Sequence, residues 1–144
     1  MSDSLHLVCP HCHAVNLLPE ANLAHAPNCS LCHKPLFTAH PVELTAASFA
    51  IHIERNDIPV LVDFWAPWCA ACKMMAPQFV QAAGILEPRA RLAKVDTEAE
   101  HTLVVQYGIR SVPTLVLFKG GHEVARQAKA MGALDIVRWV SAQL

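Results

Sequence analysis

The chain has 144 residues, 53% of them hydrophobic, with eleven basic and twelve acidic side chains and a formal net charge of -1. That length holds one ordinary domain or a small domain with an appendage, and the apolar fraction is ample for a core. Balanced charge and few aromatics leave no footprint for nucleic acid or a membrane surface, and Asp63 and Lys73 interrupt the best apolar run before it reaches spanning length. Met1-Ser2-Asp3-Ser4 lacks a basic leader, so a soluble, cytoplasmic protein is expected, and a monomer. Six cysteines in a reducing compartment argue for metal binding and redox chemistry over a disulfide framework.

The first forty residues carry Cys9-Pro10-His11-Cys12 and Cys29-Ser30-Leu31-Cys32, with sixteen residues between the pairs. This is the spacing of a four-thiolate zinc ribbon, in which each tight knuckle aims two sulfurs at one ion. The intervening Leu17 to Asn28 is too short to build a core, so one structural zinc on Cys9, Cys12, Cys29 and Cys32 would supply most of the folding free energy. The same four cysteines leave an iron–sulfur cluster, or two disulfides formed on handling, as alternatives. His6, His11, His13, His25, His33 and His40 lie in this segment too, and His11, His13 or His33 could replace a sulfur. Four thiolates already complete a tetrahedron, so these histidines read as solvated.

Lys34 to Pro41 is the expected joint, dividing a ribbon module (1–38) from a second module (39–144). Val42 to Leu44 reads as a short edge strand, and Thr45 as the N-cap of a helix through Arg55. Pro59 ends that region, and Val60 to Trp65 is a short β-branched run expected to form a central strand. A helix follows to about Leu86, with Met75, Phe79, Ala82 and Leu86 on one face and Pro77 inside it. Leu92 to Asp96 is a strand parallel to the first. Glu98 to Tyr107 is a helix stopped by Gly108, and Gly120-Gly121 joins the hairpin strands 114–119 and 122–128. A last helix, Ala133 to Leu144, presents Ile136, Val140 and Leu144 as a stripe. From Val60 onward the order is βαβαββα, a mixed sheet between helices.

Where the central strand turns into its helix stands Trp65-Ala66-Pro67-Trp68-Cys69-Ala70-Ala71-Cys72-Lys73. A helix N-terminus offers free N–H groups and the positive end of the dipole, so Cys69 is expected to ionise below a free thiol and act as the nucleophile. Cys72, one turn on, can reach the same sulfur, resolve a mixed disulfide and close a Cys69-Cys72 disulfide. A zinc knuckle uses the same spacing, but no second pair lies nearby.

With its flanks this stretch resembles the thioredoxin family. Asp63-Phe64-Trp65-Ala66-Pro67-Trp68-Cys69, Lys73, Ala76-Pro77, Lys94-Val95-Asp96 and Arg110-Ser111-Val112-Pro113-Thr114 match in order, over about Pro41 to Leu144. The ribbon added in front is similar to the bacterial thioredoxin 2 branch. The resemblance implies the thioredoxin fold, reduction of protein disulfides, and electrons from an NADPH-dependent thioredoxin reductase. It implies that Asp63, mid-strand beside Lys94, relays the proton of Cys72, against the plainer reading of a structural ion pair between them. It implies a cis Pro113 over the redox pair, with the Val112 backbone free to pair with substrate. Trp68 with Met131, Gly132 and Ala133 would complete the docking rim, while Trp65 and Trp139 fill core and Lys73 stays solvated. The family usually has Gly-Pro where this chain has Ala70-Ala71. An Ala71 N–H aimed at the Cys69 sulfur would make the disulfide more oxidising, which keeps a disulfide isomerase or weak oxidant as an alternative. A zinc-dependent partner-binding module with secondary redox activity is another.

Overall fold

The computed structural model describes residues 3–144. Two antiparallel strands, β1 (Ser4–Val8) and β2 (Val15–Pro19), flank the first cysteine knuckle, and a 3-10 turn (Glu20–His25) leads to the second. Sequence reading gave this segment no strands. Its alternation is five residues long on each side, and the small core of Leu7, Leu18 and Leu36 forms only with Cys9 and Cys29 and with Ile58 from the following module.

The rest of the chain is β3 (Val42–Glu43), α1 (Phe49–Arg55), β4 (Val60–Trp65), α2 (Ala70–Leu86), β5 (Arg91–Asp96), α3 (His101–Tyr107), β6 (Thr114–Lys119), β7 (His122–Gln127) and α4 (Ala133–Ser141). The strands form one sheet in the order β3-β5-β4-β6-β7, with β3, β5 and β4 parallel and β6 and β7 antiparallel. β4 is central because both its faces are covered. Val60, Val62 and Phe64 pack with Phe49 and Ile53 of α1 and Leu103 of α3. Leu61 packs with Met75, Phe79 and Leu86 of α2 and with Ile136 and Val140 of α4. Gly120 and Gly121 both have positive φ, 59° and 84°, as the two-residue turn between Lys119 and His122 requires.

Two helix starts differ from expectation. Ser48 Oγ turns back to accept the Thr45 N–H at 3.0 Å, so α1 begins at Phe49, four residues after Thr45. Asp96 Oδ1 accepts the Glu98 N–H at 2.9 Å, a local turn that delays α3 to His101. The last helix stops at Ser141, ahead of Leu144. Its first turn is capped from a neighbour, Gln78 Oε1 accepting the Ala133 N–H at 3.0 Å.

The ribbon is seated on the end of the sheet where β4 begins. The Val8 N–H donates to Asn56 Oδ1 at 2.8 Å, His6 N and Nδ1 both approach Asp57 Oδ2, and Arg91 donates to Val8 O. His13 and His52 ring nitrogens meet at 2.8 Å. Thus His13, against the buried His52, is a structural member of the seam and corrects the solvated reading, while His6 pairs with Asp57 at the seam's edge with its side chain still exposed to solvent. Burial, with His13 and Arg91 adding to it, pushes His52 down to about 3 and holds it neutral.

Candidate functional site

β4 and α2 create the first site between them. The strand delivers Trp65 to the sheet's end, Ala66-Pro67-Trp68 turns the chain, and Cys69 becomes the N-cap of α2. Its sulfur performs the capping, accepting the Cys72 N–H at 3.1 Å, which puts Sγ at the positive end of the helix. Both cysteines are buried and unjoined by a disulfide. The Ala71 N–H, in contrast, makes no bond to the Cys69 sulfur among the described residues. The expected extra donor is absent because the second N–H of the helix runs past the sulfur and the third meets it.

On the other side of the sulfur lies the loop before β6. The Val112–Pro113 bond is cis, the Cys69 thiol points at Val112 O, 3.7 Å away, and Val112 and Trp65 pack against the cysteine pair. Beneath the pair is Asp63, 1% exposed, with no hydrogen-bond partner on either carboxyl oxygen among the described residues. Burial pushes its carboxyl up to about 7, with Lys94 opposing and Glu43 reinforcing the shift. Burial likewise drives the Cys72 thiol up to about 12; its bond to Cys69 adds to this, and Asp63 is close enough to contribute. A thiol so reluctant to ionise beside a carboxyl poised near neutrality is an arrangement for moving one proton between them.

Lys94 lies directly across from Asp63 in the β4–β5 register, yet forms no ion pair with it among the described residues. Its ammonium sits 4.8 Å from the centre of the Trp65 ring, so the plainer alternative of a structural ion pair is not formed and Lys94 acts on Asp63 through space. Register also brings Glu43 opposite Lys94, completing a row of three ionisable side chains that sequence reading missed. The signal was present only as one acid in a two-residue strand.

Trp68 is 68% exposed, and its indole N–H donates to Glu98. It walls a groove of about 250 Å³ shared with Thr97, His101, Val104, Arg110 and Val112. Met131 and Gly132 do not line this groove. They border a separate hollow with Lys129 and Asp135, the Met131 N–H resting on Met75 Sδ at 3.5 Å. Lys73, Ala70 and Ala71 are exposed, and Trp65 and Trp139 are half-buried against core residues.

A second constellation occupies the ribbon. The sulfurs of Cys9, Cys12, Cys29 and Cys32 all lie within 4.8 Å of one another, with Cys9–Cys32 and Cys12–Cys29 at 3.6 Å. A tetrahedral zinc with bonds of about 2.3 Å needs sulfurs roughly 3.8 Å apart, so the donor set fits a four-coordinate ion. The backbone is prepared for anionic sulfur: His11 and Cys12 N–H groups face Cys9 Sγ, and Leu31 N and buried Asn16 Nδ2 face Cys29 Sγ. Among the described residues, no histidine joins the four.

Comparison with known proteins bears on both sites. The thioredoxin family profile matches residues 40–142. Thioredoxin C-3 of Corynebacterium nephridii is 45% identical over 138 residues, 96% of this chain and 94% of its own, a span that necessarily takes in most of the ribbon. The thioredoxin of Haemophilus influenzae is 34% identical over 100 residues, 69% of this chain and 94% of its own. Among solved structures, a point-mutant thioredoxin from Halobacterium salinarum is similar at a TM-score of 0.67 and 29% identity, covering 74% of this chain and 92% of that one.

Proposed function

The chain belongs to the thioredoxin family and is a thiol–disulfide oxidoreductase acting as a protein-disulfide reductase, and we propose that Cys69 is its nucleophile, Cys72 its resolving thiol and Asp63 the proton acceptor between them. The Cys69 thiolate attacks one sulfur of a substrate disulfide, forming a mixed disulfide and expelling the first substrate thiolate. Cys72 then passes its proton to Asp63 and attacks Cys69 Sγ. The Cys69-Cys72 disulfide closes, the second substrate thiolate leaves, and two electrons have moved to the substrate. Lys94 and Glu43 set the charge around Asp63.

Substrate lies in the groove walled by Trp68, its extended backbone pairing with Val112 beside Pro113 in the manner of strand addition. Met131 and Gly132 serve the opposite rim. The setting is the cytoplasm, the electron donor is an NADPH-dependent thioredoxin reductase, and the working unit is a monomer. No described helix is long and apolar enough to cross a membrane. Residues 1–38 form a ribbon module and 39–144 the redox module. Cys9, Cys12, Cys29 and Cys32 hold one structural zinc, which when bound supplies a closed cross-link between the two knuckles.

The observation that carries the redox reading is the buried, unpartnered Asp63 under a cysteine pair whose first sulfur caps a helix. Insulin reduction coupled to NADPH through thioredoxin reductase tests it. The Cys69→Ser variant should be inactive. Cys72→Ser should accumulate a mixed disulfide with substrate, and its failure to do so would reverse the assigned roles.

A further inference from the structure

Arg91, the first residue of β5, is the largest fully buried side chain among the described residues, at 0% exposure. Its guanidinium faces three segments at once. Nη1 donates to Glu87 Oε2 at 3.3 Å, Nη2 donates to Val8 O at 3.3 Å, and the Phe37 ring lies 4.9 Å away. Glu87 uses its other oxygen to accept the Ala39 N–H at 2.8 Å. A cation belonging to the redox module is thus pressed against the carbonyl of the residue that precedes the ribbon's first cysteine.

A buried guanidinium is costly unless its charge is matched and its donors are used. Glu87 matches one charge, yet Nε has no partner among the described residues. The ribbon presents the opposite imbalance. Four thiolates around a divalent ion carry a net charge of about -2, while residues 1–40 contain a single lysine or arginine, Lys34, which is exposed. Cys9 is near enough to act electrostatically on Arg91.

We infer that Arg91 is a positioning residue for the metal centre: a fixed cation, supplied by the redox module, that offsets the charge of the four-thiolate site and fastens the Val8–Cys9 backbone. Metal retention and seating of the ribbon on the sheet are then a single coupled equilibrium. The inference rests on the reading of the four cysteines as a zinc site.

Full-length protein, titrated with zinc against a chromophoric chelator at fixed pH, tests it through affinity, with no dependence on turnover. Arg91→Met should weaken zinc at least tenfold, and Arg91→Lys, which keeps the charge, should recover to within about threefold of the parent. Glu87→Gln removes an anion and spares the cation, so zinc should bind as tightly as in the parent or tighter, although a seam bond is weakened. The Cys69-Cys72 midpoint should be the same in all of them. Arg91→Met within twofold of the parent, or Glu87→Gln weakened as much as Arg91→Met, would mean that the cluster only packs the seam and would overturn the inference. If Arg91→Met does not fold, the sign of the Glu87→Gln effect decides. A parent protein that takes up no zinc would remove the premise itself, an outcome distinct from one zinc per chain with Arg91→Met unchanged.

Discussion

Burial lifts Asp63 from the ordinary aspartate value of 3.8 to about 7, so its charge changes in the range where the protein works. The folded state holds a proton that the unfolded chain has released between these two values. Its contribution to stability is therefore fully present below about pH 4, falls as pH rises through that window and is gone above about 7, a change of up to about 4 kcal/mol. The buried neutral His52 contributes in the opposite sense, its share being lost as pH falls from its ordinary value of 6.5 toward 3. Asp63→Asn should remove the Asp63 part of the pH dependence, stabilising the variant relative to the parent more at pH 8 than at pH 5, as read by urea unfolding at the two values. The same variant should slow resolution of the mixed disulfide by on the order of tenfold or more at neutral pH, and remove the inflection near 7 from its pH profile. Trp68, being largely exposed, gives a contrasting expectation. Trp68→Ala should leave stability within about 0.5 kcal/mol yet lower kcat/KM for a protein disulfide. Asp63 was legible in the sequence because a carboxylate interrupts an apolar run. Its relation to Lys94 and Glu43 was not, since it depends on strand register and on the Trp65 ring that draws the ammonium aside.

At the scale of elements, α2 connects chemistry to core. Its first turn holds the sulfurs, and its third and later turns bury Phe79, Ala82, Ala83 and Leu86 completely. Phe79→Ala should cost about 3–5 kcal/mol by opening a cavity between helix and sheet. The Ala70→Gly, Ala71→Pro double variant tests the spacer. The N–H that meets the Cys69 sulfur belongs to Cys72 and survives a proline at 71. The midpoint should therefore move by much less than the roughly 30 mV that a tenfold change in the exchange equilibrium represents. α2, through its helical period, and β4, as a short β-branched run, were readable from residue pattern alone. The ribbon strands and the delayed starts of α1 and α3 were not, because they follow from sulfur clustering and from single side chains bonding back to the backbone.

Across the whole molecule, β4 separates two functions. Ile58 and Asn56 at its start hold the ribbon, and Trp65 at its end meets the redox pair, a strand length of about 20 Å apart. Sequence spacing revealed both cysteine sets, but the place where they sit relative to each other required the buried contacts of His52, Asn56 and Arg91. Deleting residues 1–38 should leave turnover on a generic disulfide intact while lowering Tm by several degrees, since the seam residues lose their cover. The central claim is that electrons flow outward from Cys69 and Cys72 to protein disulfides. It is tested most directly by equilibrating the full-length protein in glutathione buffers, trapping with acid and measuring the fraction of Cys69-Cys72 disulfide, with Cys69→Ser as the control for the ribbon thiols. A midpoint near about -270 mV is the predicted result, and one above roughly -200 mV would make the protein an oxidant or isomerase and contradict the account.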